Sequence, residues 1–415
     1  MIRVFSEIKK CLLILPFNKV LKIQNFIWKM SKKIIIPLVS IVFLFIIVFA
    51  SWFLWYIKPY KPLRIYILDK TVPTIDRREH KSFSWILNHN NYIKKDGNRY
   101  NVKEDYYGFF PINLKANEFD FKSIRIHEIE DIASAYDMCY YTDTYGVYYN
   151  EWYRQNAQGE QPVTNKVYGG LNQNDYLLLK EMKDQKKLII TEFNFYNAPT
   201  NALIREKLED LFGLNWSGWT GKYFSSLDTL KNEDFPAWIV RIYKEQNNNL
   251  WPFKNDGIVL VHKFGTLAIL ESETHLTSGK PLIHSNHETT KKYGVPKSIE
   301  YLNWFDITFS TEQNNILANF QFNVNEKGDS LLRSYNLQPV FPAIIEHIID
   351  YRFYYFGGDF ADNNVTMSSA YFEGYHQFAS IISSVGKNNS MEFYWKYYNP
   401  LMIKILDDYY ASIKK

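Results

Sequence analysis

Apolar and polar residues along this chain fall into three regimes. Residues 34 to 57, IIIPLVSIVFLFIIVFASWFLWYI, contain no charged side chain, and about 20 such residues at helical rise cross a bilayer's hydrocarbon core. The pattern then shortens to buried runs alternating with helical stretches. LRIYIL at 63–68 reads as a buried strand ending at Asp69 and Lys70, with a helix over 77–89 behind it. Ala135 to Tyr141 is a second strand, running into Thr142-Asp143-Thr144-Tyr145-Gly146. Asn172 to Gln185 is a helix passing straight into a third strand, 187–192, followed by Phe193-Asn194. Helix then strand with a minimal connection is the grammar of a parallel α/β sheet. Thr200 to Phe212 is the clearest helix, closed by Gly213.

From Gly257 the pattern becomes antiparallel. Residues 257–261 and 266–270 form a hairpin, and 300–309 and 316–324 alternate as strands of a meander. Pro342 to Ile349 is expected to be helical, Tyr351 to Phe356 a returning strand ending at Gly357-Gly358-Asp359, and Met391 to Ile413 helical. The expected organisation is a basic segment over 1–33, an anchor over 34–57, an α/β domain over 63–256, a β-rich extension over 257–365 and a helical tail over 366–415. The fold class is α/β, with a mostly parallel sheet behind one transmembrane helix.

Charge sets the orientation. Arg3, Lys9, Lys10, Lys19, Lys22, Lys29, Lys32 and Lys33 face only Glu7 before the span, and such a flank stays cytoplasmic. Lys58, Lys61, Arg64 and Lys70 follow the span and weaken the bias. The expected location is the cell membrane, single-pass, with the body extracytoplasmic. An uncleaved signal anchor is preferred over a cleaved peptide, because the apolar run exceeds an ordinary signal core. Met30-Ser31-Lys32-Lys33 offers an alternative start. If residues 1–29 are real, Ile8, Leu12 and Leu15 among lysines suggest either a basic helix on the inner leaflet or a tail without structure.

The net charge is only +4 and the basic excess lies in the first 33 residues, so the rest of the chain is close to neutral and lacks the basic footprint of a nucleic-acid partner. Cys11 and Cys139 fall on opposite sides of the membrane and cannot pair. No His-Glu-x-x-His, Cys pair, G-x-S-x-G or P-loop occurs, so no metal and no cofactor is expected.

Candidate chemistry sits where four strands end. Asp69, Asp143, Glu192 and Asp359 each follow a proposed core strand, and open parallel sheets bind ligands beyond their carboxyl ends. Gathered there, the acids call for a counter-charge, for which Lys70 is positioned. Capping and turn chemistry explain each acid singly as well. Tyr145 and Asn194 flank them. Trp216-Ser217-Gly218-Trp219-Thr220-Gly221-Lys222 reads as a rim loop in which Trp219 and Lys222 meet a ligand, or as tryptophans plugging the base of the preceding helix. With 32 Tyr, 30 Phe and 11 Trp, ring faces for sugar stacking are plentiful, although most such rings are core.

The order of strands with YTDTYG, ITEFN and FGGDF over residues 63–365 resembles the class I glutamine amidotransferase-like superfamily, nearest its trehalose-utilisation-like branch. The resemblance implies a three-layer, flavodoxin-like sheet with an antiparallel β extension and C-terminal helices. Glutaminases of that superfamily carry a Cys on a Gly-flanked elbow. Here Cys139 lies inside YDMCYYTD without a neighbouring Gly, so the fold is carried over and amide hydrolysis is not. Two functions fit: a tethered domain binding a polysaccharide or envelope partner, or a glycan hydrolase or transferase using Asp143 with Glu192, or Asp69 with Asp359, as acid and base.

Overall fold

A computed structural model describes residues 17–153, 165–232, 235–384 and 390–414. The basic-helix reading at Ile8, Leu12 and Leu15 lies outside them. The chain divides into two compact units. The first comprises the N-terminal residues to Ile57 together with Tyr371–Gly374, and the second comprises Lys58–Ala370 and Tyr375–Lys415.

In the first unit, helix α1 (Phe17–Tyr56) contains Pro37. Its window Ile36–Tyr56, at mean hydropathy 2.6, is long and apolar enough to cross a membrane, and its side chains are exposed apart from the half-buried Ser51 and the buried Trp55.

The second unit is mixed α/β. Strands β1 (Ile65–Asp69), β2 (Tyr107–Asn113), β3 (Glu118–Lys122), β4 (Met138–Tyr141) and β5 (Leu188–Thr191) alternate with helices α2 (Arg78–His89), α3 (Ile129–Ala135), α4 (Gln173–Asp184) and α5 (Ala202–Phe212). Then follow β6 (Leu214–Phe224), β7 (Gly257–His262), β8 (Leu267–Glu271), β9 (Leu282–Ser285), β10 (Ser298–Glu300), β11 (Phe305–Ser310), β12 (Asn315–Gln321), β13 (Val340–His347) and β14 (Arg352–Phe356). Helices α6 (Tyr375–Ser383) and α7 (Asn399–Ile413) close the chain. A ten-strand sheet has the order β10-β9-β12-β13-β14-β5-β4-β1-β2-β3, and a four-strand sheet the order β8-β7-β6-β11. Five neighbours, β14, β5, β4, β1 and β2, run parallel; the remaining pairs are antiparallel.

Local signals explain several elements. Asn172 caps α4 and closes a reciprocal box with Asp175; Asn201 caps α5, and Gly213 ends it in the left-handed region. Along β1, Ile65 and Ile67 enter one core while Tyr66 and Leu68 enter another, so both faces of the strand are covered.

Four expectations are corrected. Pro342 to Ile349 is not a helix: β13 is a strand between β12 and β14. Its spacing fits a helix with proline at the first turn, but the β-branched Ile344 and Ile345 are buried in a sheet, and a register shift beside Asn319 accommodates Pro342. Residues 300–309 and 316–324 do not share a meander, since β11 joins the four-strand sheet and β12 the ten-strand one. The Trp-rich segment is no rim loop. It is β6, whose pairing shifts between Trp216 and Thr220, so that Trp216 enters the core holding α5 and Trp219 enters the other. Trp219 is buried and cannot line a rim. Lys70 turns away from the acids at the strand ends and pairs with Asp175 of α4.

Gly218 makes that shift possible with φ of +87°, and a Cβ there would lie 2.7 Å from His262 Nε2. Gly218→Ala is therefore expected to cost about 1–3 kcal/mol, read from urea unfolding, with Gly265→Ala as a comparison at a glycine of similar φ (+85°) and no close neighbour.

Candidate functional site

The parallel pairing of β14, β5, β4 and β1 brings the ends that precede Asp359, Glu192, Asp143 and Asp69 side by side. The four acids nevertheless meet different surroundings.

Asp69 is fully buried. Its Oδ1 accepts from the Thr71 amide at 2.9 Å, and its Oδ2 lies 2.5 Å from His80 Nδ1 on α2. His80 Nε2 lies 2.8 Å from the Val102 carbonyl, which only accepts, so Nε2 carries a proton and Nδ1 shares one with Asp69. Burial raises the Asp69 carboxyl, against the hydrogen bond from His80. Gly108 of β2 crosses so close that a Cβ would overlap the Asp69 carbonyl oxygen at 1.6 Å, which fixes glycine there.

Lys70 donates to Asp175 Oδ2 at 2.6 Å and to the Gly170 carbonyl at 2.8 Å, a buried ion pair with α4. It is the anchor of a helix, not the counter-charge of the acids.

Glu192 is likewise enclosed. Oε1 accepts from Tyr140 Oη at 2.6 Å and Tyr398 Oη at 2.9 Å, and Oε2 from the Ala361 amide at 3.0 Å. Burial pushes it up to about 8 despite these donors. It ties β5 to the C-terminal helices and to the loop after β14, and its oxygens are taken.

Asp143 accepts from the Tyr145 amide at 2.7 Å and from Asn194 Nδ2 at 3.0 Å. Asn194, at φ 66°, donates its own amide to Asp306 Oδ2 at 3.0 Å, and Asp306 also accepts from Thr220 Oγ1 at 2.9 Å. Burial pushes Asp143 and Asp306 each up to about 7. The half-buried Tyr145 ring lies beside Tyr148, with centroids 4.7 Å apart.

Asp359 differs. Its carboxylate, with Glu79 of α2 and Asp362, forms a group in which one oxygen from each lies within 4.8 Å of the others, each residue partly open to solvent. Burial and then the mutual charge raise Asp359 and Glu79 well above the carboxylate range. Asp143 adds to both, and Asp69 to Glu79. Lys222 of β6 supplies opposing charge to Asp359, and its own ammonium is lowered by burial. Arg78 Nε stands 3.0 Å from Asp362 Oδ1. Lys222 Nζ also lies 5.5 Å from the centre of the Trp304 ring, and that ring is half-buried.

The structure thus assembles Asp359, Lys222 and, behind them, Asp143 with Asn194. It sequesters Asp69, Lys70, Glu192 and Trp219. Glu79, Asp362, Trp304, His80 and Asp306 were missed. Asp362 had a signal in the repeat of Asp at three residues in GGDFADN; Glu79 looks like an ordinary first-turn acid. Glu79, Asp359 and Asp362 are the described residues able to share a metal ion, an all-oxygen set of the kind hard cations take. Cys139 sits inside β4 with its thiol buried and raised, the opposite of an activated nucleophile.

No protein-family model matches the chain, and no curated protein does. Among solved structures, a ThuA-like protein from Parabacteroides merdae matches 71% of this chain and 79% of its own at 11% identity and a TM-score of 0.32. A ThuA-like protein from Bacteroides uniformis matches 80% of this chain and 95% of its own at 8% identity and a TM-score of 0.30.

Proposed function

We propose that this chain is a single-pass, membrane-anchored protein whose extracytoplasmic α/β body binds a polyhydroxylated ligand of carbohydrate type. The carrying observation is the half-open group of Glu79, Asp359 and Asp362 beside Lys222, Arg78 and the Trp304 ring. Carboxylates accept hydroxyl protons, Lys222 and Arg78 donate, and an indole face stacks on the apolar side of a pyranose. Part of this reading is a three-layer, amidotransferase-like body, supported by the two cores that flank β1. The span and the basic flank at Lys29, Lys32 and Lys33 support the topology. Acid–base hydrolysis draws no support from Asp143 with Glu192, because both Glu192 oxygens are occupied.

The test is a glycan array probed with the full chain in nanodiscs, carrying the native sequence or Trp304→Ala. Retention of an envelope-type oligosaccharide, weakened about tenfold by Trp304→Ala, is expected. No retention, or equal retention by the variant, overturns the reading.

A further inference from the structure

The ten-strand sheet ends on β3, and among the described residues no strand lies beyond it. Such an edge presents unpaired amides and carbonyls to any further strand. In β3, Glu118-Phe119-Asp120-Phe121-Lys122, Phe119 is half-buried and the other four residues are exposed. Phe121 keeps 50% of its surface. Its amide donates to Asp120 Oδ1 at 2.7 Å, the local bond that a backbone donor makes when no neighbouring strand supplies a carbonyl.

The strand is held in place on one face. The Phe119 ring lies 4.8 Å from that of Phe109 and 5.6 Å from that of Trp152, and Phe121 stacks on Tyr168 at 5.3 Å. An edge fixed in this way loses little freedom on pairing. The order of charges says what pairs with it. Asp120 and Lys122 stand on either side of Phe121. Two copies of β3 running antiparallel, with Phe121 opposite Phe121, set Asp120 of each against Lys122 of the other. Opposite charges and aromatic rings directly across an antiparallel pair are stabilising. A centre on Asp120 would set two carboxylates face to face, which opposes pairing.

We propose that β3 is a self-association edge, pairing antiparallel with β3 of a second copy of this chain about a two-fold axis at Phe121. The interface is isologous: each copy offers the same five residues to the other. Phe121 exchanges amide and carbonyl bonds with its counterpart, and Asp120, released from the Phe121 amide, turns to Lys122 of the second copy. Five residues a side make a small, reversible interface. The inference stands apart from both the membrane span and the carbohydrate reading.

Single cysteines replacing Phe121, Asp120 and Phe264 are placed in a full-length Cys11→Ser background, Cys139 being buried, and the chain is oxidised mildly in detergent with micelles in excess. Phe264, 82% exposed at a hairpin tip, reports random collision. Only a residue on the two-fold axis meets itself, with Cα atoms about 5.5 Å apart and within reach of a disulfide. Disulfide-linked dimer at position 121 is therefore expected to form at least about tenfold faster than at 120 or 264. In sedimentation of the full chain, Asp120→Lys and Lys122→Asp are each expected to weaken self-association about tenfold, and the two together to restore it within about threefold. All these side chains are exposed, so the changes leave the fold intact. Equal linking at 121 and 264, faster linking at 120, a native chain that stays monomeric at its highest soluble concentration, or a dimer indifferent to both charge reversals overturns the proposal. The last result would assign the dimer to another surface.

Discussion

Asp175→Ala is expected to destabilise the body by about 3–5 kcal/mol, because it strands a buried ammonium. Lys70 is 2% exposed, and its remaining partners would be the Gly170 carbonyl and the Tyr168 ring, whose centre lies 5.5 Å from Nζ. The same carboxylate accepts from the Asn172 amide at 2.8 Å and so completes the α4 cap; its loss frays the helix as well. Urea unfolding of the variant reports the loss. The double change Lys70→Met with Asp175→Leu removes both charges and is expected to recover most of it, since apolar isosteres of buried pairs are often neutral. A loss below about 1 kcal/mol in the single variant, or a double variant worse than it, would show that the pair is not what holds α4 to the end of β1.

Stability is expected to fall as pH rises from 5 to 8. Asp143, Asp306 and Glu192 are pushed up to about 7, 7 and 8 by burial, against ordinary values near 4 in the unfolded chain. Raised carboxyls bind protons more tightly in the folded state. Their contribution is therefore complete below about pH 4 and is lost as pH passes through 7 and 8. Glu346 has the opposite sign: hydrogen bonds from Lys292, Tyr354 and Tyr293 outweigh its burial and hold it low, so its effect is confined to acid pH. The summed loss between pH 5 and 8 is expected to be at least about 3 kcal/mol. Glu192→Gln cannot ionise and flattens the upper part of this slope. It adds a constant cost where its NH2 would face the Ala361 amide. A urea midpoint that is flat or rising over this range would contradict the buried state of these acids.

The parallel centre was legible because its signals are local. Asn172 and Gly213 mark helix ends within a few residues, and LRIYIL and KLIIT are continuous apolar runs. Position at a strand end also placed Asp143 and Asp359 correctly along the sheet. What a side chain does at that end depends on distant partners. Glu192 is claimed by Tyr398, 206 residues away, and Lys70 by Asp175, 105 residues away, so neither commitment leaves a mark near the residue itself. Asp359 meets Glu79 only because α2 returns beside the end of β14. The helix expected at Pro342 failed for a related reason, since apolar spacing alone does not distinguish a short buried strand from a helix, and the pairing that decides lies on β12 and β14.

On the proposed reading the acids divide their labour: Glu79, Asp359 and Asp362 receive the ligand, and Glu192 holds the fold. Calorimetric titration of the oligosaccharide retained on the array, at pH 6, into the native chain, Asp359→Asn with Asp362→Asn, and Glu192→Gln separates the two roles. The predicted result is a loss of affinity of at least about 30-fold in the double variant, roughly 2 kcal/mol, with Glu192→Gln within about threefold of native. Native affinity in the double variant, or a larger loss on changing Glu192, would contradict the assignment.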